Sequence, residues 1–89
     1  EVLNFVSQGL QDFSISRVNV DWGFPVPVAP EQTLYVWFDA LLGYVTALLE
    51  PDSEPTLENA LSQWWPINIH IIGKDILRFH AVYWPAMLM

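Results

Sequence analysis

The hydrophobic pattern changes its period near the end of the chain, and this change limits the folds that the sequence can adopt. Residues 69–72 form a nearly continuous β-branched run that ends at Gly73, a pattern typical of a strand buried on both faces. From Asp75 onward, mostly apolar and aromatic residues recur with helical spacing and would share one face of a helix. These residues are Ile76, Phe79, His80, Tyr83 and Trp84. The sequence therefore predicts a strand that passes through a glycine turn into a helix. In an open α/β sheet, such a turn lies at the edge where ligands bind.

A second apolar run at residues 34–38 ends at Asp39 and predicts a second strand. It is followed by a predicted helix at residues 40–50, in which Gly43 indicates close packing, by a polar, proline-broken linker at residues 50–55, and by a predicted helix at residues 56–64. A strand, helix, helix, strand connection is a crossover, and crossovers almost always join parallel strands. The prediction is thus an α/β fold that belongs to a doubly wound parallel sheet.

The first third of the chain differs in pattern from the rest. Residues 1–9 predict the end of a helix capped by Gly9, and residues 13–17 alternate as a half-buried strand or extended arm would. A turn is expected at residues 21–23. The prolines that follow cannot donate to a ladder and predict an edge or extended surface segment; they are Pro25, Pro27 and Pro30. We therefore divide the chain into a helix end plus arm, residues 1–33, and a crossover unit that carries the pocket, residues 34–89.

Composition narrows the classes of function. The net charge of −7 does not favour binding to the phosphate backbone of a nucleic acid. Without cysteine there is no disulfide or thiolate metal site, no apolar run reaches membrane-spanning length, and a cytoplasmic location is favoured. Hydrophobic residues make up 53% of the chain and charged residues 15%, which predicts apolar faces that require a partner or self-associate. The ends of the sequence suggest a piece of a longer protein.

Parallel strands end at one edge of a sheet, so the prediction brings residues after the two strands together. These residues are Trp37, Asp39, Ala40, Tyr44, Gly73, Asp75, His80 and Trp84. Asp75 has two readings, a helix cap or an acceptor for the two hydroxyls of a ribose. His80 and the aromatic stripe around it are either ordinary core or the lining of a pocket for a small apolar ligand with a weakly polar group, such as a thioether.

Three cations are present, Arg17, Lys74 and Arg78, and a solvated surface role is the simplest reading of each. Arg17 follows the extended arm, where it is positioned to pair with Asp39, with Asp75, or with the carboxylate or phosphate of a ligand. The sequence contains no Ser/His/Asp grouping, no zinc-ligand spacing and no glycine-rich phosphate loop. No metal ligand is therefore predicted.

Three blocks, residues 9–17, 35–44 and 70–88, together resemble the catalytic core of the methionyl-tRNA synthetases, a family of class I aminoacyl-tRNA synthetases. The resemblance covers nearly the whole chain, and its third block is the most specific. It implies part of a Rossmann-like sheet and, in the parent enzyme, activation of methionine with ATP and Mg²⁺, followed by transfer to tRNA. Positions that it places around the methionine side chain are Trp37, Ala40, Tyr44, Ile76, Phe79, His80 and Trp84. It also implies ribose contacts at Gly73 and Asp75 and a catalytic role for Arg17.

The sequence also departs from this family. The His-Ile-Gly-His-type signature and the Lys-Met-Ser-Lys-Ser-type loop, which bind ATP phosphates in the family, are absent from these 89 residues. We therefore expect the chain alone to be inactive and to bind neither ATP nor Mg²⁺, and its acidity predicts no direct tRNA contact. The alternatives are a noncatalytic synthetase-like binding module, a class I synthetase for another apolar amino acid, and a purely structural α/β fragment.

Overall fold

A computed structural model describes all residues from 1 to 89 and contains a small antiparallel sheet beside a group of short helices. Helix α1 spans Val2–Ser7, and the strands are β1 Ser16–Val18, β2 Pro25–Val26 and β3 Ala29–Leu34. Helices α2 and α3 span Val36–Thr46 and Leu57–Leu61. The chain ends in a helical segment, residues 74–88, which begins with a 3₁₀ turn at Lys74–Ile76, continues as a π-helical stretch at Phe79–Tyr83 and closes with α4, Trp84–Leu88.

The sheet is antiparallel, with β3 between β1 and β2. Arg17 of β1 is paired with Thr33, and Val26 of β2 is paired with Ala29 across an irregular register. The prolines were expected on an edge, yet Pro30 lies in the central strand. It is tolerated there because β1 pairs only with residues 32–34 of β3 and the β2 ladder shifts its register beside it.

The predicted strand at residues 34–38 is wrong. Leu34 ends β3, Tyr35 is extended, and Val36 begins α2. An apolar run alone does not distinguish a buried strand from a buried helix, and the helical spacing of Leu41 and Tyr44 in fact extends back to Trp37. The helix predicted at residues 40–50 is therefore present but begins and ends four residues earlier.

The predicted strand at residues 69–72 is likewise not a strand. Residues 67–73 have no regular secondary structure, because no other segment of the described chain forms a ladder with them. Ile69 and Ile71 are 76% and 95% exposed, so the expected burial on both faces is also wrong for these residues. His70 and Ile72 are half-buried and lie on the inner side. The parallel sheet is thus not seen in this structure.

Several local predictions are confirmed. Gly9 has φ +91° just after α1, and its N–H donates to the Val6 carbonyl. Residues 50–56 have no helix or strand and separate α2 from α3. The predicted helix at 56–64 is present as the shorter α3, where the Thr56 side chain caps the N–H of Asn59. Gly43 was expected to pack closely, but a Cβ placed there meets nothing within 4 Å.

The core is small and lies between α2, α3 and the last helical segment. Its buried members are Leu41, Val45, Ala60 and Trp84, with Tyr44, Trp65 and Phe79 packed against them. Only 6 of 89 residues are buried, so much of the apolar content stays at the surface. The longest helix has 11 residues, and no helix is long and apolar enough for a membrane span.

Candidate functional site

An aromatic cluster joins α2 to the last helical segment, and it contains most of the residues predicted to line the pocket. The indole of Trp37 stacks on Phe79 with ring centroids 4.3 Å apart, and it meets His80 edge-on at 6.3 Å. Tyr44 packs against His80 at 5.5 Å and against Trp84 at 6.0 Å. The cluster is held by helical spacing on both sides, because Trp37 and Tyr44 are seven residues apart on α2.

The two polar members of the cluster are hydrogen-bonded to each other. The Tyr44 hydroxyl lies 2.6 Å from His80 Nε2, and His80 Nδ1 lies 3.0 Å from the Ile76 carbonyl oxygen. A carbonyl only accepts, so Nδ1 carries the proton, and in the neutral imidazole Nε2 is then the acceptor for the Tyr44 O–H. His80 is 8% exposed, and each of its ring nitrogens has a partner. The cluster therefore presents a largely apolar surface in which no buried side-chain polar atom lacks a partner.

His80 lies in the π-helical stretch of the last segment. There the backbone N–H of Trp84 donates to the carbonyl of Phe79, five residues earlier. Such widened turns are rare and are often found at functional sites. Here the stretch contains both Phe79 and His80, the two residues that face Trp37.

The turn before the last segment forms a second part of the site. Gly73 is extended and a Cβ there would meet nothing within 4 Å, so its backbone is open to a ligand. Asp75 lies in the first turn, but no side chain caps this helix start. Its carboxylate lies 3.3 Å from Lys74 Nζ, and both side chains are about 90% exposed. The capping reading of Asp75 thus has no hydrogen bond to support it.

Phe79 belongs to the aromatic cluster and also lines the same surface concavity as Asp75. This concavity has a volume of about 430 Å³. It is lined by Asp75, Lys74, Arg78, Phe79 and Tyr83, together with Glu1. Phe79 also stacks on Trp37 in the aromatic cluster. The predicted nucleotide side and the predicted amino-acid side therefore meet at Phe79.

Arg17 lies elsewhere, in strand β1 of the sheet. Its guanidinium carbon is 3.7 Å from the centroid of the Tyr35 ring, and Nη1 donates to the carbonyls of Ser14 and Ser16. The single ion pair in the structure is Lys74 with Asp75, so Arg17 pairs with neither Asp39 nor Asp75. It borders a groove of about 800 Å³, together with Asp39 and Trp22.

Two predicted neighbours of the pocket are not brought into the aromatic cluster. Ala40 is exposed on α2, and Asp39 is exposed at the groove beside Arg17. Both were placed by the predicted parallel strand, which the structure replaces with a helix. Conversely, His70 was missed as a site residue, although its ring lies 4.6 Å from Tyr44 and 5.7 Å from His80. Its alternation with Ile69 and Ile71 is a sequence signal for an inward-facing side chain.

No group of three or more His, Asp or Glu side chains is arranged to hold a metal ion. Mg²⁺ in phosphoryl chemistry is commonly held by one or two carboxylates together with the nucleotide's phosphates. We assign no metal ligand among these residues.

Comparison with known proteins matches the whole chain to one family. Residues 1–89 match the family described as tRNA synthetases class I (M). The chain is 84% identical over its full length to a methionine–tRNA ligase of Nostoc sp. and 64% identical to the chloroplastic/mitochondrial methionine–tRNA ligase of Arabidopsis thaliana. It covers 17% and 14% of these two proteins.

Solved structures show the same relationship. The methionyl-tRNA synthetase of Mycobacterium tuberculosis in complex with methionyl-adenylate is 53% identical and superimposes with a TM-score of 0.78 over 99% of this chain and 17% of that one. Its apo form gives a TM-score of 0.77 at the same identity and coverage. On the match over all of its residues, the chain belongs to the class I tRNA synthetase (M) family.

Proposed function

We propose that this chain is the part of a methionine–tRNA ligase that holds methionine and the ribose of the adenylate. The parent enzyme would activate methionine with ATP to methionyl-adenylate and pyrophosphate and then transfer methionine to tRNA. The observation that carries this proposal is the 84% identity over all 89 residues to a methionine–tRNA ligase. The chain spans about 17% of that relative, so the full reaction needs residues beyond those described here.

The aromatic cluster suits the side chain of methionine. A thioether is polarizable, packs well against aromatic rings and accepts hydrogen bonds only weakly. Because Tyr44 and His80 satisfy each other, an apolar side chain beside them leaves no buried polar atom without a partner. A charged or amide side chain would lose its hydration there without gaining partners. We assign to this subsite Trp37, Tyr44, Ile76, Phe79, His80 and Trp84. We add Ala40 on the family resemblance alone, because it is exposed on α2 and lies outside the aromatic cluster.

The Gly73 turn suits the ribose of the adenylate. Asp75 is exposed and bound only to a neighbouring lysine, so its two oxygens are accessible to the vicinal hydroxyls of a sugar. Gly73 leaves open space for the sugar to approach the backbone. Support also comes from the related M. tuberculosis enzyme, whose structure was solved with methionyl-adenylate. Residues 69–72 would be a strand of the Rossmann-like parallel sheet in the whole protein, followed by this turn.

The remaining assignments concern the parent enzyme. Arg17 is the catalytic candidate, because it is a cation beside an open groove that can orient a carboxylate or phosphate. ATP would enter with its Mg²⁺ and would be held at its phosphates by residues outside this chain. We place the enzyme in the cytoplasm and expect the tRNA to contact mainly other parts of it. The division into an arm, residues 1–33, and a pocket unit, residues 34–89, remains part of the proposal.

The test is ATP–pyrophosphate exchange by the full-length protein with single amino acids. We expect exchange with methionine and much weaker exchange with leucine, isoleucine, valine and glutamine. Preference for one of the branched amino acids would instead identify a class I synthetase of different specificity. Binding of methionine without any exchange would identify a noncatalytic synthetase-like module, and both results would overturn the proposal.

A further inference from the structure

His70 contacts the aromatic cluster from outside the helices. It lies in the irregular segment at residues 67–73, where Ile69 and Ile71 face outward at 76% and 95% exposure. His70 itself is half-buried. Its ring meets the Tyr44 ring edge-on, with centroids 4.6 Å apart and planes at 72°, and it lies 5.7 Å from the His80 ring. The rings of Tyr44, His70 and His80 therefore form a triangle in which each ring is a neighbour of the other two.

The hydrogen bond to His80 and the ring packing by His70 restrict different movements of Tyr44. The bond between Tyr44 and His80 fixes one atom, the phenolic oxygen, at 2.6 Å from Nε2. A tyrosine ring can still tilt about that atom unless its sides are packed. Trp84 supports the ring at 6.0 Å, and His70 supports it at the shorter distance of 4.6 Å. An edge-to-face contact at this distance is the arrangement that aromatic rings prefer.

We propose that His70 is a positioning residue for methionine selection, acting through Tyr44. Its ring keeps the Tyr44 ring in the orientation that directs the hydroxyl to His80, and so keeps the wall of the amino-acid subsite fixed. This role needs a flat ring at position 70 and does not need its proton. The inference rests on the proposed function, because it concerns the same subsite, but it is tested by different variants and a different measurement.

The experiment uses the full-length protein and three variants. His70→Phe keeps the flat ring, His70→Leu keeps comparable bulk without the ring, and His70→Ala removes both. We expect His70→Ala and His70→Leu to raise the KM for methionine by about tenfold while the KM for ATP stays within about twofold. His70→Phe is expected to stay within about threefold of the wild type for both substrates. Thermal unfolding of each variant separates this effect from loss of fold.

The results for these variants test the role of His70 separately from the proposed ligase function. A wild-type methionine KM in His70→Leu overturns the positioning role, as does equal impairment of His70→Phe and His70→Leu. A parallel rise in both KM values indicates general misfolding and also overturns it. Should the wild-type protein lack exchange with methionine, the proposed function fails, and ¹⁵N NMR of His80 still tests this inference. The Nδ1–H tautomer with a hydrogen-bonded Nε2 is then expected in the wild type and in His70→Phe but not in His70→Leu.

Discussion

The aromatic cluster and the Gly73 turn lie close together but are built in opposite ways. In the cluster, Trp84 is 3% exposed, His80 is 8% exposed, and the polar atoms of Tyr44 and His80 bind each other. At the turn, the side chain of Asp75 is 89% exposed and its partner is a neighbouring lysine. The polar atoms of the first region satisfy each other, while the acceptor atoms of the second are open to solvent and accessible to a ligand.

This difference predicts different responses to mutation. Changing a buried, mutually satisfied group affects stability first, because its partner loses a bond that water cannot replace. Changing an exposed carboxylate leaves the fold intact, because a surface ion pair contributes little. Variants of the two regions are therefore expected to separate stability from activity.

The largest expected effect comes from removing everything outside these 89 residues, which keeps both regions. The 89 residues alone are expected to show no methionine-dependent ATP–pyrophosphate exchange, at least about a thousandfold below the full-length protein, because charge stabilisation at the phosphates dominates such chemistry. The chain has three cations, and all of them already contact other groups in the structure: Arg17 and Arg78 lie over aromatic rings, and Lys74 pairs with Asp75. Exchange by the isolated chain clearly above a no-enzyme control would contradict this prediction.

Removal of a buried indole is the next largest change. Trp84→Ala is expected to lower the free energy of unfolding by about 3–5 kcal/mol, because it leaves a cavity among Leu41, Tyr44 and Trp65. Urea unfolding of the full-length protein measures this change in the free energy of unfolding. The matched control is Trp22→Ala, which removes an indole that is 89% exposed and is expected to change stability by less than about 0.5 kcal/mol. Equal losses for the two variants would show that Trp22 is buried in the whole protein.

The sequence was a good guide where neighbours along the chain decide the contacts. Tyr44 and His80 each lie on a helical face that the 3.6-residue period correctly predicted. Their proximity is also observed, but it was predicted from a parallel crossover that the structure does not contain. Asp39 and Ala40 were expected beside the cluster from a strand at residues 34–38. The structure forms α2 there and leaves both side chains exposed. A strand needs a partner segment to form its ladder, and the local sequence does not reveal whether one is available. A helix forms its own hydrogen bonds.

His70 was missed for a related reason. It stands in an apolar run that was read as buried on both faces, so no face was assigned to its ring. The structure shows only one face covered, by Tyr44 and its neighbours. Which face is covered is a property of packing between segments and is weakly encoded in a four-residue run.

Asp75→Asn tests the exposed side of the comparison. We expect the melting temperature to stay unchanged and adenylate formation to fall by roughly tenfold, because the amide loses the charge that strengthens hydrogen bonds from two ribose hydroxyls. Unfolding and exchange are measured on the same preparation of the full-length protein. Asp52→Asn, in the exposed linker, serves as the control and should change neither. Full activity of Asp75→Asn would remove the ribose assignment.

Tyr44→Phe tests the buried side. The variant leaves His80 Nε2 without its partner in a site that is 8% exposed, which is expected to cost about 1–2 kcal/mol of stability. Methionine use should fall more than ATP use, since the proposed methionine subsite includes Tyr44. Tyr35→Phe is the control, because the ring of Tyr35, rather than its hydroxyl, contacts Arg17. A larger loss in the control would mean that the Tyr44–His80 hydrogen bond contributes little.

The smallest expected effect concerns the helix that carries Tyr44. Gly43→Ala is expected to raise the free energy of unfolding by about 0.5–1 kcal/mol, because alanine restricts the unfolded chain and favours a helix. A Cβ at this position meets nothing within 4 Å. Gly9→Ala provides the opposite control, since Gly9 has φ +91° and alanine there is expected to destabilise by about 1–2 kcal/mol. Urea unfolding of the full-length protein reports both. If Gly43→Ala destabilises the protein instead, another segment packs directly on this face of α2, and the amino-acid side of the site is then shaped from outside this chain as well.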